Sequence, residues 1–391
     1  YYRVLLGNWL IHYIHQCYDK YCCIKKAKED FDIFTYYIGK NKSEDSIPYD
    51  FKEFISSSLN PEYQVQLFSE LFEVMNIEIK KIEGNSINNH FHSIIKLSLF
   101  GRIRNWFAVI KNRLSYFLLL LVKRIHKTLV IIENPYFKFN SIKNKINIFI
   151  RSKGKIYFHR PVLSRPFAEK KIIDKFRYSS KIVANNFEEI IYLLVKKNIP
   201  KVYLEYHHDY SEYVNKVFNF NKNDISWLSF QWSGNTVFEY IVAITHNNSN
   251  IILAQHGSGY GVDKIHSLEK NERSIAKKYF TYGWEDSSKT IPLSLPNIKV
   301  HKNIDLSKKA ILFVNTTRPL HLMRFHNGSN SSQNLIDNVE SPIIFLNHCK
   351  FTKYVIGRFH SSDSERWNNF QRINKHFPLL KRDRNKSFYK S

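Results

Sequence analysis

Residues 251–284 read IILAQHGSGYGVDKIHSLEKNERSIAKKYFTYGW, and the order of parts in this stretch decides the fold. The apolar run 251–254 reads as a buried parallel strand. It stops at Gln255 and His256, then opens into Gly257, Ser258, Gly259, Tyr260 and Gly261. Three glycines in five residues let the backbone turn sharply and approach a ligand closely. A charged segment with Glu269 and Glu272 follows, then a second short strand over 279–282 and Gly283-Trp284. Ligands of open α/β sheets bind outside the carboxyl ends of the strands. The stretch therefore places a histidine, three glycines and two carboxylates where such a sheet does chemistry.

The pattern extends in both directions. Strands are expected at 129–132, 146–150, 155–158, 182–184, 201–204 and 226–230, with helical stretches at 187–197 and 237–245 between them. Such alternation argues for a doubly wound α/β domain over residues 129–290. A connector at 290–303 leads to a strand at 310–314 with the loop Asn315-Thr316-Thr317-Arg318-Pro319. Further strands are expected at 343–346 and 353–359. They give a second α/β unit over 305–391, incomplete because only about three strands precede the end of the chain. The segment 324–340 is polar and reads as a loop. Residues 1–128 are mainly helical in pattern, with Leu6, Leu10, Tyr13, Ile14 and Cys17 at helical spacing. The chain opens at Tyr1 inside a helical pattern and stops at Ser391, so we expect a fragment clipped at both ends.

Composition narrows the class. The 391 residues suffice for two domains, and 43% hydrophobic with 15% aromatic content excludes a disordered chain. The net charge of +25 calls for an anionic partner: nucleic acid, an anionic membrane surface or a phosphorylated substrate. Lys is raised together with Asn, Ile and Tyr, a bias that an AT-rich genome also produces. The run 114–122 is too short to span a bilayer, which takes about 20 residues. Arg102, Arg104, Lys111, Arg113, Lys123, Arg124 and Lys127 flank it, with Trp106 and Phe107 among them. It reads either as a buried helix with snorkelling basic ends or as an interfacial helix on an anionic membrane. Cys17, Cys22, Cys23 and Cys349 form no CxxC pair, so neither a disulfide framework nor a zinc site is expected, and a reducing cytoplasm fits.

The opening YYRVLLGNWLIHYIHQCYDKY, with Tyr2-Arg3, Gly7, Trp9-Leu10, Tyr18 and Asp19, resembles the N-terminal signature of transferases encoded in bacterial surface-polysaccharide loci, often beside genes for nonulosonic acids. The segment Gln255 to Gly261, then Glu269, Glu272 and Tyr282-Gly283-Trp284, is similar to that family's central signature. The chain departs from it at Asn271, where the family has histidine, and at Arg358-Phe359-His360-Ser361, where an Arg-x-His-Pro pattern belongs. The resemblance implies a GT-B architecture of two Rossmann-like domains, acceptor on the first and nucleotide sugar on the second. It implies a glycosyltransferase at the cytoplasmic face of the membrane. Its donor would be a nucleotide sugar, a CMP-linked nonulosonic or Kdo-like acid among the candidates, and its acceptor a glycan or glycolipid. It also implies that a Ser/Thr-rich turn for the nucleotide lies beyond Ser391.

Glycosyl transfer needs a group to take the acceptor proton, charge stabilisation on the departing phosphate, and a shaped pocket. His256, Glu269 and Glu272 are the catalytic candidates. Gln255, Gly257, Gly259, Tyr260 and Gly261 are expected to bind substrate, the glycines by backbone N–H groups. In the second unit Thr317, Arg318, Arg358 and His360 stand at strand ends and suit a nucleotide phosphate. Asp30-Phe31-Asp32, Glu285-Asp286 and His207-His208-Asp209 lack metal-site placement, so a metal-independent reaction without cofactor is expected. A nucleic-acid-binding protein is the competing reading, but no RRM, KH, zinc-finger or helix-turn-helix pattern occurs. A third is a catalytically inactive membrane scaffold.

Overall fold

The computed structural model describes residues 1–31, 35–39, 47–82, 99–134, 142–163, 167–178, 184, 186–218, 225–230, 232–246, 250–257, 259–293, 311–316, 321–323, 325, 332–361, 363–364 and 366–383. The chain divides into two compact units, Tyr1–Ile298 and Lys299–Ser391.

In the first unit the strands are β1 (Thr35–Gly39), β2 (Glu78–Ile82), β3 (Leu129–Asn134), β4 (Ile156–Phe158), β5 (Ile225–Ser229), β6 (Asn250–Ala254), β7 (Lys278–Thr281) and β8 (Thr290–Pro292). The helices are α1 (Tyr2–Asp30), α2 (Phe51–Ser57), α3 (Pro61–Val74), α4 (Leu99–Ile125), α5 (Ile142–Arg151), α6 (Asp174–Arg177), α7 (Phe187–Asn198), α8 (His207–Val217), α9 (Thr236–Thr245) and α10 (Ser267–Ile275). Strands β3 to β8 form one all-parallel sheet in the order β4-β3-β5-β6-β7-β8. A parallel sheet is buried on both faces, and helices supply the cover. Helix α9 has seven buried residues from Val237 to Ala243 and is apolar nearly all round, as a helix enclosed by its neighbours must be.

Helix α1 buries Leu5, Trp9, Tyr13 and Cys17, one residue every fourth position, so a single stripe faces the core. It packs on α9, α10, α3 and α7. Helix starts are fixed by side chains that accept orphan N–H groups: Asp50 for α2, Asn60 ahead of Pro61 for α3, Asn186 for α7 and Asn235 for α9. Arg177 meets Glu205 through Nε at 2.8 Å and Nη2 at 2.7 Å, a buried fork that ties α6 to the residues before α8.

The second unit holds β9 (Ile311–Asn315), β10 (Val355–Phe359) and β11 (Lys381–Arg382) with α11 (Ser332–His348) and α12 (Asn369–His376). Its described strands form a three-stranded parallel sheet in the order β11-β10-β9. Leu346, Val355, Phe359, Ile373 and Leu380 make its small core.

The strand expectations at 129–132, 155–158, 226–230, 251–254, 279–282 and 310–314 agree with the structure to within a residue or two. Three others do not. Residues 146–150 lie in α5, 343–346 lie in α11, and 201–204 begin a 3-10 turn, Lys201–Tyr203. Helix α11 also occupies the last part of the segment expected as a loop over 324–340. The expectation at 182–184 falls outside the described residues except for Ala184.

Candidate functional site

In the six-stranded sheet β4 lies on one side of β3, and every later strand lies on the other. The chain reverses its direction of winding between β3 and β5, and the carboxyl ends there flank the crevice where such sheets bind ligands. Strand β6 is the next neighbour, so the Gly-rich loop after it opens on the same edge.

Gln255 is buried and acts as a staple. Its Nε2 donates to Gly257 O at 2.8 Å, and its Oε1 accepts from Tyr282 N and Trp284 Nε1, both at 2.9 Å. The amide thus ties the end of β6 to the turn after β7. Gly261 has φ +72°, and a β-carbon there would lie 2.5 Å from Trp284 Cε2. Only glycine suits both the left-handed backbone and the ring pressed against it.

The two glutamates sit on α10, whose first turn is capped by His266, Nδ1 accepting from Glu269 N at 3.0 Å. Their spacing puts them on one helix face, and that face is turned inward: both are buried. Glu269 Oε2 accepts from Gly261 N at 2.9 Å, and Oε1 accepts from Arg273 at 3.2 Å. Arg273 also grips both oxygens of Asp286 at 2.7 Å. The Gly261 N–H thus already has a carboxylate partner. Glu269 holds the loop in place.

Glu272 Oε1 accepts from Tyr260 Oη at 3.2 Å, and Oε2 accepts from Tyr279 Oη at 2.9 Å. Burial pushes its carboxyl up to about 8, against the two tyrosine bonds that lower it. His256 Nε2 lies 3.2 Å from Tyr260 Oη, and Nδ1 lies 3.9 Å from Glu272 Oε1. The His256 side chain is 22% exposed and that of Glu272 is 5% exposed. A histidine at the surface is thus joined through a tyrosine to a carboxyl group that keeps its proton at neutral pH.

A second polar cluster, absent from the sequence-based candidates, lies at the reversal point itself. Glu133, near the end of β3, accepts from Ser229 Oγ at 2.9 Å and from Asn235 Nδ2 at 2.7 Å. Arg160 Nε stands 3.7 Å from Glu133 Oε1; the arginine side chain is 58% exposed and the glutamate side chain 0%. Burial raises the Glu133 carboxyl, while its Asn235 and Ser229 bonds and Arg160 oppose the rise. Gly234, in the loop between β5 and α9, has φ +85° and open space where a β-carbon would stand. The signal available in sequence was a lone acid ending an apolar run, followed two strands later by a Ser-Gly-Asn turn.

In the second unit Arg358, at the end of β10, is buried and paired with Asp383 at 2.6 Å. An intramolecular carboxylate therefore occupies the guanidinium expected to meet phosphate. His360 is exposed just beyond the strand. Thr317 and Arg318 lie outside the described residues, and so does Ser258. Asn315, at the end of β9, accepts from Asn369 Nδ2 at 3.1 Å and so joins β9 to α12. His207, His208 and Asp209 start α8 rather than ending a strand. No group of three His, Cys, Asp or Glu side chains among the described residues could hold a metal ion.

Neither the curated proteins nor the solved structures contain a match to this chain. The family model described as LIC12162 family transferase matches residues 1–391, the whole chain, and the protein belongs to that family of transferases.

Proposed function

We propose that this transferase moves a sugar from a nucleotide-activated donor to a hydroxyl of a glycan acceptor, with His256 taking the acceptor proton. The observation that carries the reading is the His256–Tyr260–Glu272 chain at the carboxyl end of β6. As the acceptor oxygen bonds to the anomeric carbon, the bond from that carbon to phosphate breaks. The proton passes to the imidazole, which Tyr260, itself bonded to Glu272, holds in place. His256 follows β6 and Glu133 stands near the end of β3, two strands away, an interval of about 10 Å by ordinary strand spacing. That interval suits a sugar ring, with the exposed Arg160, held beside the buried Glu133, as a carboxylate partner. In the same reading the second unit carries the donor nucleotide, in a GT-B arrangement. The chain's net charge of +25 favours an acidic sugar, such as a nonulosonic or Kdo-like acid, as the first to test.

The test is release of free nucleotide from CMP-, UDP- and GDP-linked sugars by the full-length protein. His256→Ala is expected to lower turnover by roughly 10²-fold, the scale of a lost acid–base group, with donor affinity unchanged. Wild-type turnover in that variant, or no binding of any sugar nucleotide, would sink the proposal.

A further inference from the structure

Helix α4 has 27 residues, and its second half turns a single face to the core. Leu119 is buried, and Ser115, Tyr116 and Val122 are half-buried beside it. The opposite face is apolar as well. Ile110, Leu114, Phe117, Leu118, Leu121 and Ile125 are all exposed, Ile125 at 76%. At about 100° per residue they fall within a stripe about 100° wide. The reading of 114–122 as a buried helix is thereby corrected: most of the run faces outward.

Helix α5 repeats the arrangement over a shorter length. Ile142, Ile146 and Ile150, four residues apart, are exposed at 73%, 53% and 65%. No residue of this helix is buried. The two helices meet the same sheet edge and converge at their carboxyl ends. Ser115 of α4 lies 3.3 Å from Tyr157 Oη of β4, and Phe149 of α5 packs edge-on against the Tyr157 ring. His126, just after α4, lies over Gly154, just after α5, where a β-carbon would be 2.7 Å from Nε2.

The segment that carries these faces is charged with one sign. Between Glu83 and Glu169 there are 16 Lys and Arg and a single acid, Glu133, which is buried. Arg113, Arg124, Lys127, Lys143 and Arg151 are exposed beside the apolar ridges. Apolar ridges flanked by exposed bases are what an anionic lipid surface complements: acyl chains meet the isoleucines and leucines, and headgroups meet the cations. No helix among the described residues is long and apolar enough to cross a membrane, so the fit is to a helix lying in the interface.

We infer that the outer faces of α4 and α5 form a docking surface for an anionic lipid bilayer, with both helices lying along its headgroup layer. The inference rests on exposure and charge and is independent of the transfer chemistry at His256.

Vesicle flotation of the full chain tests it, with neutral phosphatidylcholine vesicles set against vesicles holding about 30% anionic phosphatidylglycerol. Binding to the anionic vesicles alone is expected, and raising salt from about 0.1 to 0.5 M should weaken it at least tenfold. Arg124→Gln and Lys127→Gln should each lower partitioning about fivefold. Leu118→Glu with Ile146→Glu should lower it about tenfold or more, since both side chains leave the acyl boundary. Both positions are exposed, so thermal melts of these variants should match the parent. Tyr192→Glu, at an exposed site on α7, is the control and should bind as the parent does. Equal binding to neutral vesicles, or none to anionic ones, overturns the inference. So does a dimer in solution that Leu118→Glu dissociates, for the face would then join two copies of the chain. Salt-sensitive binding to RNA but not to vesicles would likewise overturn it.

Discussion

At the scale of single residues, the Gly-rich loop is held by Gln255, Glu269 and Trp284, of which the sequence offered the first for substrate binding and the second for catalysis. Gln255 joins two strand ends, Glu269 takes the Gly261 N–H, and Trp284 closes over Gly261 while accepting the stacked Arg273 on its ring. A glycine in a left-handed conformation under a tryptophan leaves no room for a methyl group. Gly261→Ala is expected to cost about 2 kcal/mol or more, from strained backbone and a displaced indole. Urea denaturation followed by tryptophan fluorescence measures it, and a loss below about 0.5 kcal/mol, the usual surface value, would show that the loop relaxes freely. Gly234→Ala is the informative comparison, because its positive φ carries the strain without the collision. The difference between the two variants isolates the contribution of Trp284.

At the scale of elements, α1 is drawn close to α10 by a glycine. A β-carbon at Gly7 would lie 2.9 Å from Asn271 Oδ1, and Asn271 Nδ2 donates to Asn8 Oδ1 at 3.0 Å. Arg3 Nη2 donates to Ser274 Oγ at 2.9 Å along the same seam. The opening signature of the chain is thus one side of a helix pair whose other side carries Glu269 and Glu272. Gly7→Ala is expected to destabilise by about 1 kcal/mol, because the asparagine must turn away and lose its partner. Asn271→Ala in the same chain makes room for the methyl group, so the double variant should lose less than the sum of the single changes. Strict additivity in a double-mutant cycle would refute the contact. This pairing was not legible in sequence, since Asn271 read only as a departure from a histidine. What was legible were the buried strands bounded by turn residues, at 129–132, 226–230 and 251–254. What failed were short apolar runs inside helices. Residues 146–150 alternate like a strand at Ile146, Ile148 and Ile150, but Ile142, Ile146 and Ile150 also keep helical spacing, and length could not decide between them. The apolar run 343–346 read as a strand, yet it lies inside α11, which continues through Pro342. At the candidate site, the loop after β6 and the spacing of the two glutamates were legible, but not that both carboxylates are buried, because burial is a tertiary property that spacing does not carry.

At the scale of the whole molecule, the first unit buries several groups that titrate near neutrality. Burial pushes Glu272 up to about 8 and Glu239 up to about 7, and it raises Glu133 as well. Glu239 accepts from Tyr203 Oη at 2.7 Å and from Gly234 N at 2.8 Å, so it shares the loop next to the Glu133 cluster. A carboxyl raised in the fold above its unfolded value, about 4.3, binds more protons folded than unfolded. Its contribution is complete below the unfolded value and is lost as pH rises through the folded one. His159 acts in the opposite sense: burial lowers it to about 4, so between that pH and about 6.5 the unfolded chain binds the extra proton and stability rises with pH. The two effects oppose one another in the acid range, and only the carboxyl effect remains above about pH 6.5. The melting temperature of the first unit is therefore expected to fall between about pH 6.5 and 8.5, by up to about 1.4 kcal/mol of stability per pH unit for each titrating group. Tryptophan fluorescence reads this unit, since five of the six tryptophans lie in it. Glu272→Gln keeps the shape and removes the proton, so it should flatten the fall above pH 7 and leave that of Glu239 below it. A parent protein that grows more stable from pH 6.5 to 8.5 would mean that these carboxyls ionise in the fold, and a Glu272→Gln profile parallel to the parent's would mean that this one does.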